Sequence, residues 1–174
     1  VMGMLDGRVA IVSGGGRGVG AEIAKHMAAA GAKVLVNDPG VGGGGEGGDT
    51  APAQAIVDEI KAAGGEASAN FGSVTDYGDC LGMVEQARDE LGGCHIICNP
   101  AGILRDRMFH KMDPQDWRDV IEVHLNGHYN INRAAINLFR EQEYGRMIMV
   151  SSTSGVLGNI GPVSYTHLTL PTIV

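Results

Sequence analysis

The sequence predicts an α/β fold built on a doubly wound parallel sheet. Two observations support this prediction. Short aliphatic runs alternate with helical segments along the 174 residues, and each run is continuously apolar instead of alternating with polar residues. Such strands are typical of a sheet buried on both faces, and strands separated by helices pair in parallel through right-handed crossovers. The length is enough for one ordinary domain and too short for two.

Five strands are predicted where β-branched and aliphatic residues stand together. The first is followed at once by glycines, where the chain must turn sharply, and the third has the weakest pattern. In chain order, the strands are predicted over Val9–Val12, Lys33–Asn37, Glu66–Phe71, Cys94–Cys98 and Arg146–Val150. We expect the sheet to be incomplete after the fifth strand.

Four helices are predicted between these strands from capping residues and apolar spacing. Gly31 stands where a C′ glycine ends the first helix, and Pro52 stands in the first turn of the second. Asp113 and Pro114 are typical of the N-cap and N1 positions of the fourth helix, which is expected to contain one break. One face of the third helix is predicted to carry Leu81, Val84, Ala87 and Leu91. The helices are predicted over Ala21–Ala30, Pro52–Ala63, Asp76–Leu91 and Pro114–Glu143.

The composition argues against several classes of partner. A formal net charge of −7 and a pI near 5.2 are opposite to the basic face of a nucleic-acid-binding protein, so no nucleic-acid partner is expected. No apolar run reaches the roughly 18 residues that span a bilayer, so no membrane partner is expected. The three cysteines, an odd number, are typical of buried thiols in a reducing compartment, and we expect a cytoplasmic protein.

Glycine is concentrated where the chain would approach a ligand. Twelve of the 28 glycines fall within Gly14–Gly20 and Gly40–Gly48. The first stretch lies between a predicted strand and a helix, and such a turn presents backbone N–H groups and the positive helix end to a pyrophosphate. Its spacing, Gly14-x-x-x-Gly18-x-Gly20, differs from the common G-x-G-x-x-G, and a simple turn is the alternative interpretation.

Asp38 strengthens the prediction of a dinucleotide site. It ends the second predicted strand, about twenty residues after the glycines, where a carboxylate can accept hydrogen bonds from the adenosine ribose. The same carboxylate would repel a 2′-phosphate, and no arginine or lysine lies between Asp38 and Lys61, so NAD is favoured over NADP. Two alternatives stay open: Asp38 is a turn residue in Asn-Asp-Pro-Gly, or Arg17 holds a phosphate.

Several segments together resemble the short-chain dehydrogenase/reductase family, whose members have the Rossmann fold. They are Ser13–Gly20, Ser73–Asp76, Asn99–Gly102, Ser151–Ser152, and Tyr165, thirteen residues beyond Ser152. Each segment is short, but their order and their places at strand ends match the family over residues 5–161. The resemblance implies hydride transfer between a nicotinamide cofactor and a hydroxyl-bearing carbon.

The resemblance also implies roles for the matched residues. Tyr165 would be the acid and base, Ser152 would hydrogen-bond the substrate oxygen, and no metal is expected. A lysine four residues after the tyrosine is usual, because a free phenol titrates near 10 and a nearby cation favours its ionised form. The residues expected to bind the cofactor are Ser13, Gly14, Gly16, Arg17, Gly18, Val19, Gly20, Asp38, Ser73, Val74, Asn99, Ala101 and Gly102.

Three longer segments resemble the (3R)-hydroxyacyl-CoA dehydrogenase branch of multifunctional β-oxidation enzymes: Val36–Gly48, Gly102–Met108 and Val123–Gly127. This resemblance implies NAD as cofactor, a 3-hydroxyacyl-CoA as substrate, and a homo-oligomer in which the helix around Ile121–Phe139 packs against a second subunit. Two alternatives remain. One is a non-catalytic nucleotide-binding fragment or pseudoenzyme, and the other is an NADP-dependent 3-oxoacyl carrier-protein reductase.

The sequence departs from the family at four places. Thr169 stands where the lysine belongs, and Pro100 and His124 stand where asparagines are usual. Gly72 and Ser73 replace a segment that often carries an aspartate. The missing lysine favours the non-catalytic alternative, unless the end of the sequence is not native.

From position 163 onward, the sequence resembles one reading frame of an adapter used in preparing sequencing libraries. We therefore expect a dinucleotide-binding domain over residues 1–162 and a non-native tail over residues 163–174. On this interpretation the chain as it stands lacks the lysine and the last strands, and it should be inactive.

Two further side-chain pairs have a plain structural interpretation. His124 and His128 are four residues apart and could meet on one helix face, but no third metal ligand is apparent. Arg105 and Arg107 could meet a coenzyme A phosphate, and we interpret them instead as residues of a solvated loop.

Overall fold

The computed structural model describes residues 3–42 and 47–152. The strands within these ranges are β1 Val9–Ser13, β2 Lys33–Asn37, β3 Ala67–Asn70, β4 Ile96–Asn99 and β5 Arg146–Met149. The α-helices are α1 Gly18–Ala29, α2 Ala51–Ala62, α3 Tyr77–Leu91, α4 Pro114–Ile121 and α5 Gly127–Glu141. A short 3₁₀ helix covers Phe109–Lys111, and a π-helical segment, Glu122–Asn126, joins α4 to α5.

The strands form one parallel sheet in the order β3-β2-β1-β4-β5. The chain adds β2 and β3 on one side of β1 and then returns to place β4 and β5 on the other side. The strand order therefore reverses between β1 and β4, which is the point where doubly wound sheets bind ligands beyond their carboxyl ends. The predicted doubly wound parallel sheet is confirmed.

Helices cover the sheet on both faces because successive residues of a strand point to opposite sides. In β1, Val12 packs in the core formed with α1 and α2, which includes Ala24 and Val57. Its neighbour Ile11 packs in the core formed with α3 and α5, which includes Met83 and Ile131. Both faces of β1 are fully buried, as its continuous apolar run predicts.

The long helical segment after Asp113 is interrupted, as the sequence predicts. The Asp113 carboxylate accepts a hydrogen bond from the Gln115 N–H at 2.7 Å and caps α4. Pro114 occupies the first turn, where its missing N–H costs nothing. The π-helical residues 122–126 then widen the helix by one residue before α5 begins, an irregularity that is often found at functional sites.

The helices α3 and α5, the longest of the described α-helices, have 15 residues each. Within the two described ranges, no helix is both long enough and apolar enough to cross a membrane.

The boundaries of the elements differ slightly from prediction. Helix α1 begins at Gly18, three residues early. Strand β4 begins at Ile96, two residues late, and Gly92 ends α3 in the left-handed conformation with a φ of 92°.

The predicted apolar face of α3 is wrong at Leu81. The side chains that α3 buries are Cys80, Met83, Val84, Ala87 and Leu91, whereas Leu81 remains 39% exposed. The buried set repeats at intervals of three and four residues, which places Leu81 about 100° around the helix from Cys80. Periodicity indicated an amphipathic helix, but Cys80 and Met83, and not Leu81, face the sheet.

The orientation of α3 can be tested with two substitutions on this helix, one at a buried position and one at an exposed position. Replacing Met83, which is fully buried, with alanine should lower the free energy of unfolding by about 2–5 kcal/mol, because it leaves a cavity between α3 and the sheet. Leu81→Ala on the same helix should cost less than about 1 kcal/mol. Urea denaturation of both variants measures the difference, and equal losses would contradict the observed orientation of α3.

Candidate functional site

A cavity of about 380 Å³ lies beyond the carboxyl ends of β1, β2 and β4, where the strand order reverses. Segments far apart in sequence meet in its wall: the glycine turn after β1, the loop after β2, the segment after β3 and the loop after β4. Nine of the thirteen predicted cofactor residues line it: Gly14, Arg17, Val19, Gly20, Asp38, Ser73, Val74, Ala101 and Gly102. The other four, Ser13, Gly16, Gly18 and Asn99, lie next to these residues in sequence and do not line it. The fold therefore brings most of the predicted residues together around one cavity.

The glycine turn packs too closely for side chains. Gly14 has a φ of +58°, and a Cβ there would lie 2.9 Å from the Ala101 Cα. A Cβ on Gly20 would collide with the Gly14 carbonyl oxygen. Gly18 also has a positive φ, +53°, which only glycine adopts readily. These positions allow the first turn of α1 to lie directly against the end of β1.

The N-terminus of α1 is open to the cavity. Its N-cap residue, Arg17, makes no side-chain cap hydrogen bond, and the first turn contains no acidic residue. Val19 and Gly20 in this turn line the cavity. Uncapped first-turn N–H groups and the positive end of the helix dipole together favour an anion at this position.

Ser13 and Asn99 join the ends of β1 and β4. The Ser13 hydroxyl donates a hydrogen bond to the Asn99 side-chain oxygen, and the Ala101 N–H donates to the Ser13 hydroxyl at 3.4 Å. Both side chains are buried. Pro100 lies between Asn99 and Ala101 and has no N–H to donate. The Asn99 side-chain nitrogen is buried and has no hydrogen-bond partner among residues 3–42 and 47–152.

Asp38 is 7% exposed, and its carboxylate accepts hydrogen bonds from two backbone N–H groups, one before it and one after it in sequence. One carboxylate oxygen accepts from the Gly16 N–H at 3.0 Å, and the other accepts from the Gly40 N–H at 2.8 Å. Asp38 therefore stabilises the turn in Asn-Asp-Pro-Gly through its bond from Gly40. It also lines the cavity. Arg17 donates from Nη1 to the Val41 carbonyl at 3.1 Å, so its guanidinium lies along the same loop.

Asn37 has a role that the sequence did not indicate. This fully buried residue donates from its side-chain nitrogen to the Asn70 side-chain oxygen and to the Gly72 carbonyl, both at 2.8 Å. It thereby fixes the segment after β3, in which Ser73 and Val74 line the cavity. The available signal was an asparagine inside an otherwise apolar strand, where a buried amide requires hydrogen-bond partners.

The two histidines of the helical segment hold the loop after β4. His124 Nε2 lies 3.2 Å from the Ile103 nitrogen and 3.0 Å from the Ile103 oxygen, and His128 Nε2 lies 3.2 Å from the Asn99 carbonyl oxygen. A Cβ on Gly102 would lie 2.5 Å from the His124 ring. Burial lowers the pKa of both histidines. In the described ranges, no group of three or more histidine, cysteine or acidic side chains could hold a metal.

The interpretation of Arg105 as a solvated loop residue is wrong. Its side chain is 21% exposed and forms ion pairs with Asp116 at 3.6 Å and Asp119 at 3.7 Å on α4. Arg107 is 65% exposed and meets Asp116 at 3.8 Å. Two carboxylates on one face of α4 attract these side chains, and residue spacing within the loop could not reveal them.

The predicted catalytic residues are described only in part. Ser152 follows β5 and is half-buried, whereas its neighbour Ser151 is exposed. Val150, two residues earlier, lines the cavity. Tyr165 and Thr169 lie outside the described residues. Their positions relative to Ser152 therefore stay predictions.

This arrangement defines a nucleotide-binding α/β domain, and sequence comparison specifies its family. The family model described as "short chain dehydrogenase" matches residues 8–167, so the chain belongs to the short-chain dehydrogenase family. The match extends past residue 162 and includes Tyr165. The predicted boundary between a native domain and a non-native tail stays a prediction.

Relatives and solved structures agree with this family. The chain is 47% identical over 161 residues to peroxisomal multifunctional enzyme type 2 of Drosophila melanogaster, covering 92% of this chain and 26% of that protein. It is 48% identical over 158 residues to peroxisomal multifunctional enzyme A of Dictyostelium discoideum, covering 91% and 35%. A crystal structure of a short chain dehydrogenase from Mycobacterium avium matches with a TM-score of 0.86 and 40% identity, covering 94% and 61%. The chain thus spans between a quarter and about three fifths of these proteins.

The cavity fits the nicotinamide dinucleotide that this family binds. Gly14 and Gly20 have no room for a Cβ, so the uncapped first turn of α1 lies close against the end of β1, beside the cavity. A buried carboxylate stands at the end of β2, the position from which ribose hydroxyls are bound in doubly wound folds. The donors and acceptors of the cavity therefore match the pyrophosphate and ribose groups of such a ligand.

Three half-buried histidines predict how stability depends on pH. Burial lowers the pKa of His95, His124 and His128, so the unfolded chain binds protons more readily than the folded chain. Their contribution is complete above the unfolded pKa of about 6.5 and is lost as pH falls below it. The free energy of unfolding should therefore fall between about pH 7.5 and about pH 5.5.

Urea denaturation across this pH range measures the effect. His128→Asn should make the dependence shallower, because it removes one half-buried imidazole whose pKa burial lowers. A slope that is the same in His128→Asn and the original chain would contradict the assigned role of burial.

Proposed function

We propose that this chain is the cofactor-binding part of an oxidoreductase that transfers hydride between NAD and the hydroxyl-bearing carbon of a 3-hydroxyacyl-CoA. The observation that carries the proposal is the uncapped N-terminus of α1, held against β1 by Gly14 and Gly20 at the point where the strand order reverses. Gly14, Gly18 and Gly20 would admit the pyrophosphate, and first-turn N–H groups would bind it. The loop from Asn99 to Gly102 would contact the central part of the cofactor.

Asp38 supports NAD as the cofactor. Each of its oxygens already accepts one backbone N–H, and a carboxylate oxygen has a second lone pair with which to accept from a ribose hydroxyl. A 2′-phosphate on that ribose would meet a buried negative charge. Arg17 is the cation closest in sequence, and one of its nitrogens is already bonded to the Val41 carbonyl.

Catalysis is proposed to rest on Ser152 and Tyr165. Ser152 would hydrogen-bond the substrate oxygen, and the Tyr165 phenol would take or return its proton. NAD, when bound, supplies the hydride acceptor. Thr169 provides no cation to favour the phenolate, so we infer that an active protein carries lysine at that position. The missing lysine also supports the second candidate, a nucleotide-binding protein without catalysis.

The substrate class is inferred from the relatives. Two of them are named peroxisomal multifunctional enzymes, and the segments Gly102–Met108 and Val123–Gly127 resemble the hydroxyacyl-CoA branch. The 3-oxoacyl carrier-protein reductase alternative requires NADP in our interpretation, which Asp38 disfavours. We further propose that residues 1–162 form the native domain and that the chain ending at residue 174 is inactive.

Two accompanying proposals concern the environment of the protein. All three cysteines are free and buried, and burial raises the pKa of Cys80 and Cys94 to about 12, which supports a reducing compartment such as the cytoplasm.

Leu125 and Tyr129 are exposed apolar residues at the start of the α5 region. They support a homo-oligomer that uses this helix.

Cofactor choice can be tested by titrating the chain with NAD and NADP in a calorimeter. Asp38→Ser should weaken NAD binding by about 10- to 100-fold, because it removes a charged acceptor, and should reduce the preference over NADP. Asp58→Ser, at an exposed carboxylate on α2, should change neither affinity. A proportional loss of both affinities in Asp38→Ser would indicate a purely structural role and contradict the assignment.

Activity can be tested on the protein encoded by the genomic locus, sequenced beyond residue 161. It should reduce NAD with 3-hydroxyacyl-CoA, and Ser152→Ala should lower kcat by about 10²- to 10³-fold because a hydrogen bond to the reacting oxygen is lost. Ser151→Ala, at the exposed neighbour, should retain most of the rate.

The 174-residue chain should bind NAD without turnover. Normal turnover by this chain, or a genomic sequence that continues through Tyr165-Thr166-His167-Leu168-Thr169, would contradict the proposed non-native tail. NAD binding without turnover by the protein from the genomic locus would favour the non-catalytic candidate.

A further inference from the structure

A cluster of cationic and aromatic side chains lies at the other edge of the sheet, at the amino ends of β1, β4 and β5. The Arg8 guanidinium carbon stands 3.7 Å from the centroid of the Tyr144 ring, and the Arg146 guanidinium carbon stands 4.7 Å from the same centroid. His95 lies beside them, with its ring 6.1 Å from that of Tyr144. We call Arg8, His95, Tyr144 and Arg146 the arginine cluster.

Backbone pairing fixes the positions of these four residues. The His95 N–H donates to the Val9 carbonyl at 2.8 Å, and the Arg146 N–H donates to the His95 carbonyl at 3.0 Å. The Val9 N–H in turn donates to His95 Nδ1 at 3.0 Å and orients that ring. Pairing within the sheet therefore holds the backbones of Arg8, His95 and Arg146 side by side.

The cluster places two positive charges on one ring, and neither is neutralised by an ion pair in the described part of the chain. Across residues 3–42 and 47–152, neither arginine forms an ion pair, although Arg88 and Arg105 each do so elsewhere. Within the same ranges, the Arg8 guanidinium donates no hydrogen bond, and Arg146 donates only to the Gly145 carbonyl. Two like charges on one ring lie within about one Debye length, roughly 8 Å, so they repel each other. The positive charge of Arg8 also contributes, after burial, to lowering the pKa of His95.

We propose that the arginine cluster binds an oxyanion, either a phosphate or a carboxylate. A guanidinium stacked on an aromatic ring keeps its N–H groups free at its edge, and their fork matches the oxygens of either group. A groove of about 420 Å³ is lined by Arg140, Glu143, Tyr144 and Arg146 among others, and gives the anion room on the Arg146 side of the cluster. Glu143 lines this groove without an ion pair to Arg8 or Arg146 in the described part of the chain.

This site lies at the opposite ends of the strands from the cofactor cavity, so it does not depend on the proposed function. Phosphate could nevertheless also bind to the uncapped end of α1. Variants in the arginine cluster separate the two sites, because phosphate at α1 would stabilise the original chain and an arginine variant equally.

The test is the melting temperature of the 174-residue chain in chloride and in phosphate at equal ionic strength. Phosphate at tenfold excess over Kd should raise Tm by about 3 °C. The rise should be largely lost in Arg8→Gln and, as a second variant at an exposed position, in Arg146→Gln. Arg133→Gln, at an exposed arginine on α5, should keep the full rise. Calorimetric titration with phosphate should show at least about tenfold weaker binding in the first two variants.

A parallel series with acetate identifies the source of the oxyanion. A rise with acetate and phosphate alike indicates a carboxylate-compatible site, and a rise with phosphate alone indicates a phosphate site. Phosphate also stabilises proteins in general by exclusion from their surface. The proposal is therefore overturned if Arg8→Gln and Arg146→Gln keep the full rise, or if neither anion raises Tm in the original chain.

Discussion

The contact on which the rest of this molecule depends is that between Gly14 and Gly20. Any side chain at Gly20 would collide with the Gly14 carbonyl, and any side chain at Gly14 would press on Ala101. The absence of both Cβ atoms lets the first turn of α1 lie against the end of β1 and next to the loop after β4. The helix dipole and the uncapped N–H groups thereby reach the point where the strand order reverses.

A second set of contacts keeps the loop after β4 beside this turn. Ser13 and Asn99 join the two central strands through their side chains, and the imidazoles of His128 and His124 hold the Asn99 carbonyl and the Ile103 backbone. These bonds connect β1 and β4 with the π-helical segment and the start of α5, which are distant in sequence. Their common effect is to hold the loop after β4 against the glycine turn, where both line the cavity.

The sequence predicted those features that local signals specify. Continuous β-branched runs, the capping Asp113 and the glycines of the first turn each act within a few residues, so the strands, the capped helix and the glycine turn were correctly placed. The apolar face of α3 was wrong at Leu81, because periodicity indicates amphipathicity and not which residues will face the sheet. The partners of Arg105 lie on α4, and those of Asn37 lie at the end of β3 and just after it, and patterns within one element do not identify a partner on another.

The central claim is that a nicotinamide dinucleotide lies across this cavity with its pyrophosphate on the first turn of α1. Two-dimensional ¹H–¹⁵N NMR of the labelled chain during titration with NAD tests it most directly. Our account predicts shifts at the amides of Gly16, Gly18, Gly20 and Ala101, with little change at Arg146 on the opposite edge. Saturable NAD binding that leaves the glycine-turn amides unshifted, or that shifts only residues at the other edge of the sheet, would contradict it.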